Sequence, residues 1–314
     1  MKESHMHTHN SKPSPNDKIR NANAKKTTVT LSLALIAVCV VLGINVASDA
    51  VVLRRRLSDS RPVIYTFYAP MVRALDTPRE QKIRQADQQL LEAWKTAWHE
   101  AGWDPRVISL DEAKQYRGYH SYRKSLRETK LLGNGGRNHE YNEYCFLRYL
   151  AMTAVGGGTM ADYDLFPLSD AGSSPAIPTP ATFTVYQKTL NKAGPVPALC
   201  SGPSTEWERI ANAILEVSQE PSASGWSDMT ALMQLHKTQL DSLILLDQVL
   251  GSNEVDQSPS KHEQCRLASR KNAWGVHFSH YDVLQSGHTV FERPQLAKSF
   301  VEAWRRQCVE STQY

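Results

Sequence analysis

The chain has no Cys-x-x-Cys pair and no tight Cys/His cluster, so it carries no sign of a structural zinc site. It has no Asn-x-Ser/Thr sequon, and N-glycosylation therefore cannot be used to argue for lumenal exposure. No internal repeat is present, which excludes solenoid and propeller architectures. The body also lacks an excess of either charge. The net +4 of the 314 residues is matched by the tail Met1–Lys26, where Lys2, Lys12, Lys18, Arg20, Lys25 and Lys26 face only Glu3 and Asp17. A nearly neutral body argues against nucleic acid as a partner, because phosphate neutralisation needs a clustered positive face.

What is present begins with an apolar run. Thr27–Ser48, TTVTLSLALIAVCVVLGINVAS, is 22 residues without a charge. A helix of that length spans a hydrocarbon core of about 30 Å. The run is longer than the usual apolar core of a cleaved signal peptide and follows a mostly polar tail, so residues 27–53 are expected to be an uncleaved transmembrane helix in the lipid bilayer. Lys25 and Lys26 lie before it and Arg54, Arg55 and Arg56 after it, and charge alone does not orient it. Residues 1–26, with His5, His7 and His9 among polar neighbours, are expected to be a disordered, solvated tail. Residues 54–61 read as a short stem and 62–314 as one domain, large enough for a sizeable core at 41% hydrophobic residues overall. Cys39 falls inside the span, and Cys145, Cys200, Cys265 and Cys308 permit two disulfides in an oxidising compartment, with three connectivities.

Within the body, Val63–Tyr68 is a run of β-branched and aromatic residues and reads as a first strand. Thr77-Pro78-Arg79-Glu80 starts a helix, whose apolar stripe carries Ile83, Ala86, Leu90, Leu91, Trp94 and Trp98 and which ends at Gly102. Arg106–Leu110 reads as a second strand, so the three elements predict a βαβ unit and a parallel sheet. A helix from Asn138 through Met152 stops at Gly156-Gly157-Gly158, and Thr159–Ala161 follows as a short strand. The Pro- and Ser-rich stretch Ser169–Thr182 reads as a loop folding over a site. Phe183–Tyr186, Val196–Leu199 and Trp274–His280 are strand-like, and Thr205 with Glu208 predicts a capping box. Leu232, Leu235, Leu243, Leu246 and Leu250 on one face, interrupted at Gln239, predict one helix ending at Gly251, and Pro294–Arg306 a last one.

Asp162-Tyr163-Asp164 then falls at the carboxyl end of the Thr159–Ala161 strand, where ligands sit in open α/β sheets. Carboxylates two residues apart share a face of a strand and can turn toward one cation. Mg²⁺ or Mn²⁺ held by one or two carboxylates completes its shell with diphosphate oxygens, which suits a nucleoside-diphosphate leaving group. Asp164 is expected on a loop with little packing, so that Asp164→Asn should spare the fold.

Arg148-Tyr149-Leu150-Ala151-Met152, followed by Gly157-Gly158-Thr159-Met160-Ala161-Asp162-Tyr163-Asp164, resembles the sugar-binding-region DXD glycosyltransferases, the families that include α-1,6-mannosyltransferases and α-1,4-galactosyltransferases. The resemblance covers Tyr141–Leu168. The arginine lies one residue further from the glycine pair than in the family, and the aspartate that normally precedes it is absent, with Asn142 and Glu143 nearby. The resemblance implies a GT-A-like α/β fold, a Rossmann-like nucleotide-diphospho-sugar transferase domain preceded by a single transmembrane helix. It implies catalytic Asp162 and Asp164, and a metal site of Asp162, Asp164 and His277, with His280 as the second choice of histidine. Arg148, Gly157, Gly158, Asp162, Tyr163 and His277 would bind the cofactors, which are Mn²⁺ or Mg²⁺ and a UDP- or GDP-sugar. It further implies a hexosyl transferase of the Golgi or endoplasmic reticulum, type II in topology, acting on a glycan, protein or lipid acceptor. Glu206 and Glu208 are candidate bases toward that acceptor, and Trp207 and Trp274 candidate sugar platforms, while Trp94 and Trp98 read as core.

Two other readings stand beside this one. Asp-x-Asp after a strand also opens phosphatase-type sites, in which the first aspartate is the nucleophile and the second the acid, although those continue with a small residue and threonine where this chain has Leu165-Phe166-Pro167. The other is a membrane-anchored binding or scaffold protein that keeps the fold without the activity.

Overall fold

The computed structural model describes residues 61–71, 77–133, 136–168, 177, 180–189, 194–258 and 260–309. The expected tail, transmembrane helix at 27–53 and stem lie outside the described residues apart from Arg61, as does most of the Ser169–Thr182 loop. Among the described residues, no helix is long and apolar enough to cross a membrane.

Strand β1 (Val63–Phe67) leads to helix α1 (Pro78–Glu100), whose N-cap Thr77 accepts the Glu80 N–H at 3.2 Å with Pro78 in the first turn. Strand β2 (Asp104–Ile108) then pairs parallel to β1, Val63 opposite Asp104 and Phe67 opposite Ile108. The expected βαβ unit is there, but β2 begins earlier and stops at Ile108. Ser109 is the reason, since it caps helix α2 (Leu110–Gln115) through a reciprocal box with Glu112.

Helices α3 (Tyr119–Glu128) and α4 (Gly136–Ala154) lead to strand β3 (Gly157–Ala161), which pairs parallel to the other edge of β1. Strands β4 (Leu165–Pro167), β5 (Thr184–Lys188) and β6 (Pro195–Pro203) follow, then helices α5 (Ser204–Val217) and α6 (Asp228–Thr238), strands β7 (Ile244–Leu245) and β8 (Val249–Gly251), helices α7 (Ser252–Asp256) and α8 (Lys261–Lys271), strand β9 (Gly275–His277), and helices α9 (His280–Gln285) and α10 (Arg293–Trp304). The main sheet has the order β2-β1-β3-β6-β5-β7, with β6 antiparallel to both its neighbours, and a small second sheet has the order β4-β9-β8.

The single helix expected over Leu232–Leu250 is instead α6, a 3₁₀ turn at Leu240–Ser242, β7 and β8. Gln239, at φ −138° and ψ 82°, leaves helical conformation, and the leucines divide. Leu232, Leu235 and Leu243 enter one core and Leu250 the other. The two cores cover opposite faces of the main sheet: Met160 and Val185 face α4, α5 and α6, while Ala161 and Tyr186 face α1, α10 and the small sheet.

Three tryptophans fix the chain around the Asp-x-Asp turn. Trp207 Nε1 donates to Gly158 O at 3.2 Å, Trp98 Nε1 to Leu165 O at 3.0 Å and Trp304 Nε1 to Leu168 O at 2.8 Å. One disulfide forms, Cys265–Cys308 with Cα atoms 5.6 Å apart, while Cys145 and Cys200 are free thiols, so one of the two expected bridges is absent.

Candidate active site

A cavity of about 530 Å³ opens at the carboxyl ends of β1 and β3. Its walls come from Phe67–Met71 after β1, from α4, from the start of α6 and from the chain after β9. Asp162, Tyr163 and Asp164 form a tight turn between β3 and β4, closed by Leu165 N–H donating to Asp162 O at 2.9 Å. Antiparallel pairing of Leu165 with His277, continued by Phe278 N–H to Asp164 O at 2.8 Å, carries His277 to the same spot.

Asp162, Asp164 and His277 each present one ligand atom, all within 4.8 Å of one another. His277 Nε2 lies 3.2 Å from Asp164 Oδ1, and its Nδ1 lies 2.9 Å from Gln187 Oε1. With Gln187 Oε1 accepting from Nδ1–H, the nitrogen left facing the carboxylates is Nε2, which donates to Asp164 when the ring is charged and would be free to ligate a cation when the ring is neutral. Two carboxylates and one oriented imidazole suit Mn²⁺ or Mg²⁺ and lack the thiolates that a softer ion would favour.

Electrostatics separates the two aspartates. Burial pushes Asp162 up to about 6, against the pull of Arg148, and the Asp164 charge adds to the rise. Burial also opposes the Asp164 charge, yet His277 and then Arg293 outweigh it and hold this carboxyl well below the ordinary range. His277 is raised: its burial disfavours the imidazolium, and Asp164 more than compensates. The Asp162 side chain keeps 30% of its surface exposed toward the cavity, whereas that of Asp164 keeps 13% and accepts from both Arg293 Nη2 and His277. Asp164 is therefore packed and paired, which corrects the expectation that it packs little.

Arg148 does not pair with Glu140 or Glu143, which bond Tyr144 and Arg123 instead. It donates from Nη1 to Asp162 at 2.6 Å and from Nη2 to Asp228 at 2.5 Å. Asp228, buried at the first turn of α6, thus supplies the second carboxylate that compensates the Arg148 charge. Tyr163 lines the cavity, with its hydroxyl donating to Asp87 at 3.4 Å and its ring edge-on to Tyr68. His280 lines the cavity too but is outside the ligand set.

Gly157 and Gly158 are not at the cavity. They begin β3, at the end opposite the aspartates, and their work is done by the backbone. Gly157 has φ +81° and a Cβ there would sit 2.4 Å from Ser204 N; Gly158 has φ +114°. Glu206 and Glu208 are likewise engaged elsewhere, Glu206 by Phe183 N–H and Arg209 and Glu208 by the Tyr116 hydroxyl, and the expected Thr205–Glu208 capping box is absent because the helix starts at Ser204 behind Pro203. Trp207 is fully buried among Tyr149 and Phe183, so it is core and no sugar platform. Trp274 donates to Gln248 beside the small sheet.

Three partners of the site carried no mark in the sequence. Gln187 sits in a strand, Asp228 stands within the helix cap formed by Ser227 and Thr230, and Arg293 stands before the proline that signals α10. Each is a long-range contact, and only Ser227-x-x-Thr230, as a helix start, was readable.

Residues 44–179 match a family model described as a domain of unknown function (DUF8765), a stretch that includes the Asp162–Asp164 turn and ends before Asp228, His277 and Arg293. No curated protein matches the chain. Among solved structures the chain is similar to a glycosyltransferase involved in the glycosylation of the major capsid of PBCV-1, at 11% identity over 76% of this chain and 99% of that one, with a TM-score of 0.36. It is also similar to the glycosyltransferase GlyE of Streptococcus pneumoniae TIGR4, at 11% identity over 79% of this chain and 63% of that one, with a TM-score of 0.37. At such scores the site's own geometry must carry any assignment of activity.

Proposed function

We propose that the protein is a metal-dependent glycosyltransferase that takes a hexose from a UDP- or GDP-sugar to a glycan, protein or lipid acceptor. The carrying observation is the Asp162–Asp164–His277 set, with its ligand atoms within 4.8 Å, on the floor of a cavity of about 530 Å³ at the carboxyl ends of two parallel strands. Asp162, Asp164 and His277 would hold Mn²⁺ or Mg²⁺, which when bound neutralises the diphosphate as the glycosyl bond breaks. Asp164 stays ionised beside Arg293, and Gln187 keeps His277 in the tautomer that ligation requires. Arg148, clamped by Asp228, holds Asp162 in place, and Tyr163 offers its ring to the donor. Residues 27–53 would anchor the enzyme as a type II protein of the Golgi or endoplasmic reticulum, a placement supported by the Cys265–Cys308 bridge, which belongs to an oxidising compartment.

The order of acidity argues against the phosphatase reading. That chemistry needs a second aspartate that carries a proton, whereas His277 and Arg293 hold Asp164 in its ionised form. The test is a thermal shift with UDP and GDP, each with and without Mn²⁺. Stabilisation by one nucleotide only in the presence of metal, and its loss in Asp164→Asn, is the expected result. A well-folded sample that responds to neither nucleotide would return the weight to the inactive scaffold.

A further inference from the structure

The neutrality of the domain conceals a strong local imbalance. From residue 61 onward there are 27 lysines and arginines against 28 aspartates and glutamates, yet the stretch 114–130, KQYRGYHSYRKSLRETK, holds six basic residues against one acid. Folding gathers them. Helix α3 buries Tyr119, Tyr122 and Leu126 and turns His120, Arg123, Lys124 and Arg127 outward at one-turn spacing. With Lys114 from α2 and Glu128, these side chains line a groove of about 450 Å³. Arg123 is anchored by the buried Glu143 at 2.6 Å and Lys114 by Asp111 at 2.8 Å, whereas Lys124 and Arg127 pair with no carboxylate among the described residues. The groove is separate from the metal cavity and shares no lining residue with it.

We infer that this groove is a docking site for an acidic polysaccharide carrying sulfate or phosphate esters, held through the row Lys114, His120, Arg123, Lys124 and Arg127. A row of cations at helical spacing neutralises successive anionic groups along a chain, and its concave form suits a strand of ligand better than a flat surface. A nucleic acid is disfavoured because Tyr119 is buried, which leaves His120 as the single exposed ring among the lining residues where successive bases need successive stacking faces. A membrane surface is disfavoured because the apolar face of α3 is spent on the core and leaves nothing to insert beside the cations. The choice of a polysaccharide rests on the glycosyltransferase reading: the groove would hold the remote part of an acceptor while its end is worked on at the Asp162–Asp164 turn.

The test is lysine footprinting of the full-length chain by amine acylation and mass spectrometry, with no donor or metal present, so that it is independent of the nucleotide thermal shift. The probes are a sulfated hexasaccharide, the same hexasaccharide without sulfate, a single-stranded DNA oligomer and phosphatidylserine vesicles. The sulfated sugar is expected to slow acylation of Lys114 and Lys124 at least fivefold, to leave the exposed Lys82 and Lys298 unchanged, and to lose its effect at high salt. The unsulfated sugar should do nothing, and Lys124→Glu with Arg127→Glu, both unpaired surface positions, should abolish protection of Lys114 while the melting temperature holds. Uniform protection of all lysines, protection that survives the double variant, or equal protection by DNA or vesicles would overturn the inference. If the nucleotide shift is intact and the footprint absent, only the groove assignment falls; the reverse outcome removes the enzyme reading and leaves a polyanion-binding surface.

Discussion

The two ends of β3 are built from opposite materials. At its start Gly157 and Gly158 both take positive φ, and Gly157 lies so close to Pro203 and Ser204 that any side chain there would collide. At its finish Asp162 and Asp164 crowd two carboxylates into one turn and surround them with Arg148, His277 and Arg293. The first end is demanding in shape and carries no charge; the second is demanding in charge and supported by contacts more than a hundred residues away in the case of Arg293. A glycine pair leading into Asp-x-Asp is thus one device: closely packed backbone at one end allows a rigid strand, and the strand presents acids that would otherwise repel each other.

The largest break comes at the aspartate end. Asp164→Asn should abolish turnover and the metal-dependent nucleotide shift. It should also lower stability without metal by about 3 kcal/mol, because Arg293 is left buried with its charge uncompensated. Chemical denaturation and activity measured on the same sample check both halves. A variant that keeps full activity would remove the catalytic role, and one that loses activity with unchanged stability would show that Arg293 finds another partner.

Next comes the glycine end. Gly157→Ala must place a Cβ at φ +81° and 2.4 Å from Ser204 N, for which a cost of about 3 kcal/mol is expected from strain and displacement together. The folded fraction should still bind nucleotide with metal at unchanged affinity, which calorimetry below the melting transition would read. Weakened binding with intact stability would instead make this glycine a direct contact of the donor.

Asp228→Asn is smaller because Arg148 retains Asp162. The expected loss is about 2 kcal/mol, accompanied by weaker metal affinity as Arg148 turns both its donors on Asp162. Metal titration by calorimetry would show it, and unchanged affinity would reduce Asp228 to a helix cap.

This contrast also explains what could be read in advance. Local signals were legible: Thr77-Pro78 starting α1, the βαβ unit, and Asp162 and Asp164 at a strand's carboxyl end. They depend on spacing within a few residues, whereas His277, which a distant strand pairing brings to Asp164, was named only through the resemblance to the DXD glycosyltransferases. What failed was long-range or ambiguous in period. Leucines at helical spacing from Leu232 to Leu250 divide between a helix and two strands because Gln239 breaks the run, and the partner of Arg148 comes from α6, eighty residues on. Gly157 and Gly158 were visible as a motif, but their place at the start of β3, away from the cavity lining and with Gly157 packed against Ser204, was not.

The smallest effect sharpens the contrast by asking how acid acts on the glycine end. Glu206, on the first turn of α5 just past Ser204, accepts Phe183 N–H at 2.8 Å and both donors of Arg209. Arg209 first, and then the Phe183 N–H against the opposing burial, hold its carboxyl below the usual value. A carboxyl depressed in the fold contributes stability above its unfolded value near 4.3, and that contribution is lost as pH falls through the folded value. Glu206→Gln should therefore cost roughly 1 kcal/mol at neutral pH, with the gap from the parent protein closing below about pH 4. Denaturation midpoints across pH 3 to 7 would trace it. A gap that persists unchanged at pH 3 would mean that shape alone, through the Phe183 contact, sustains this end of the strand, and that charge matters only where the aspartates stand.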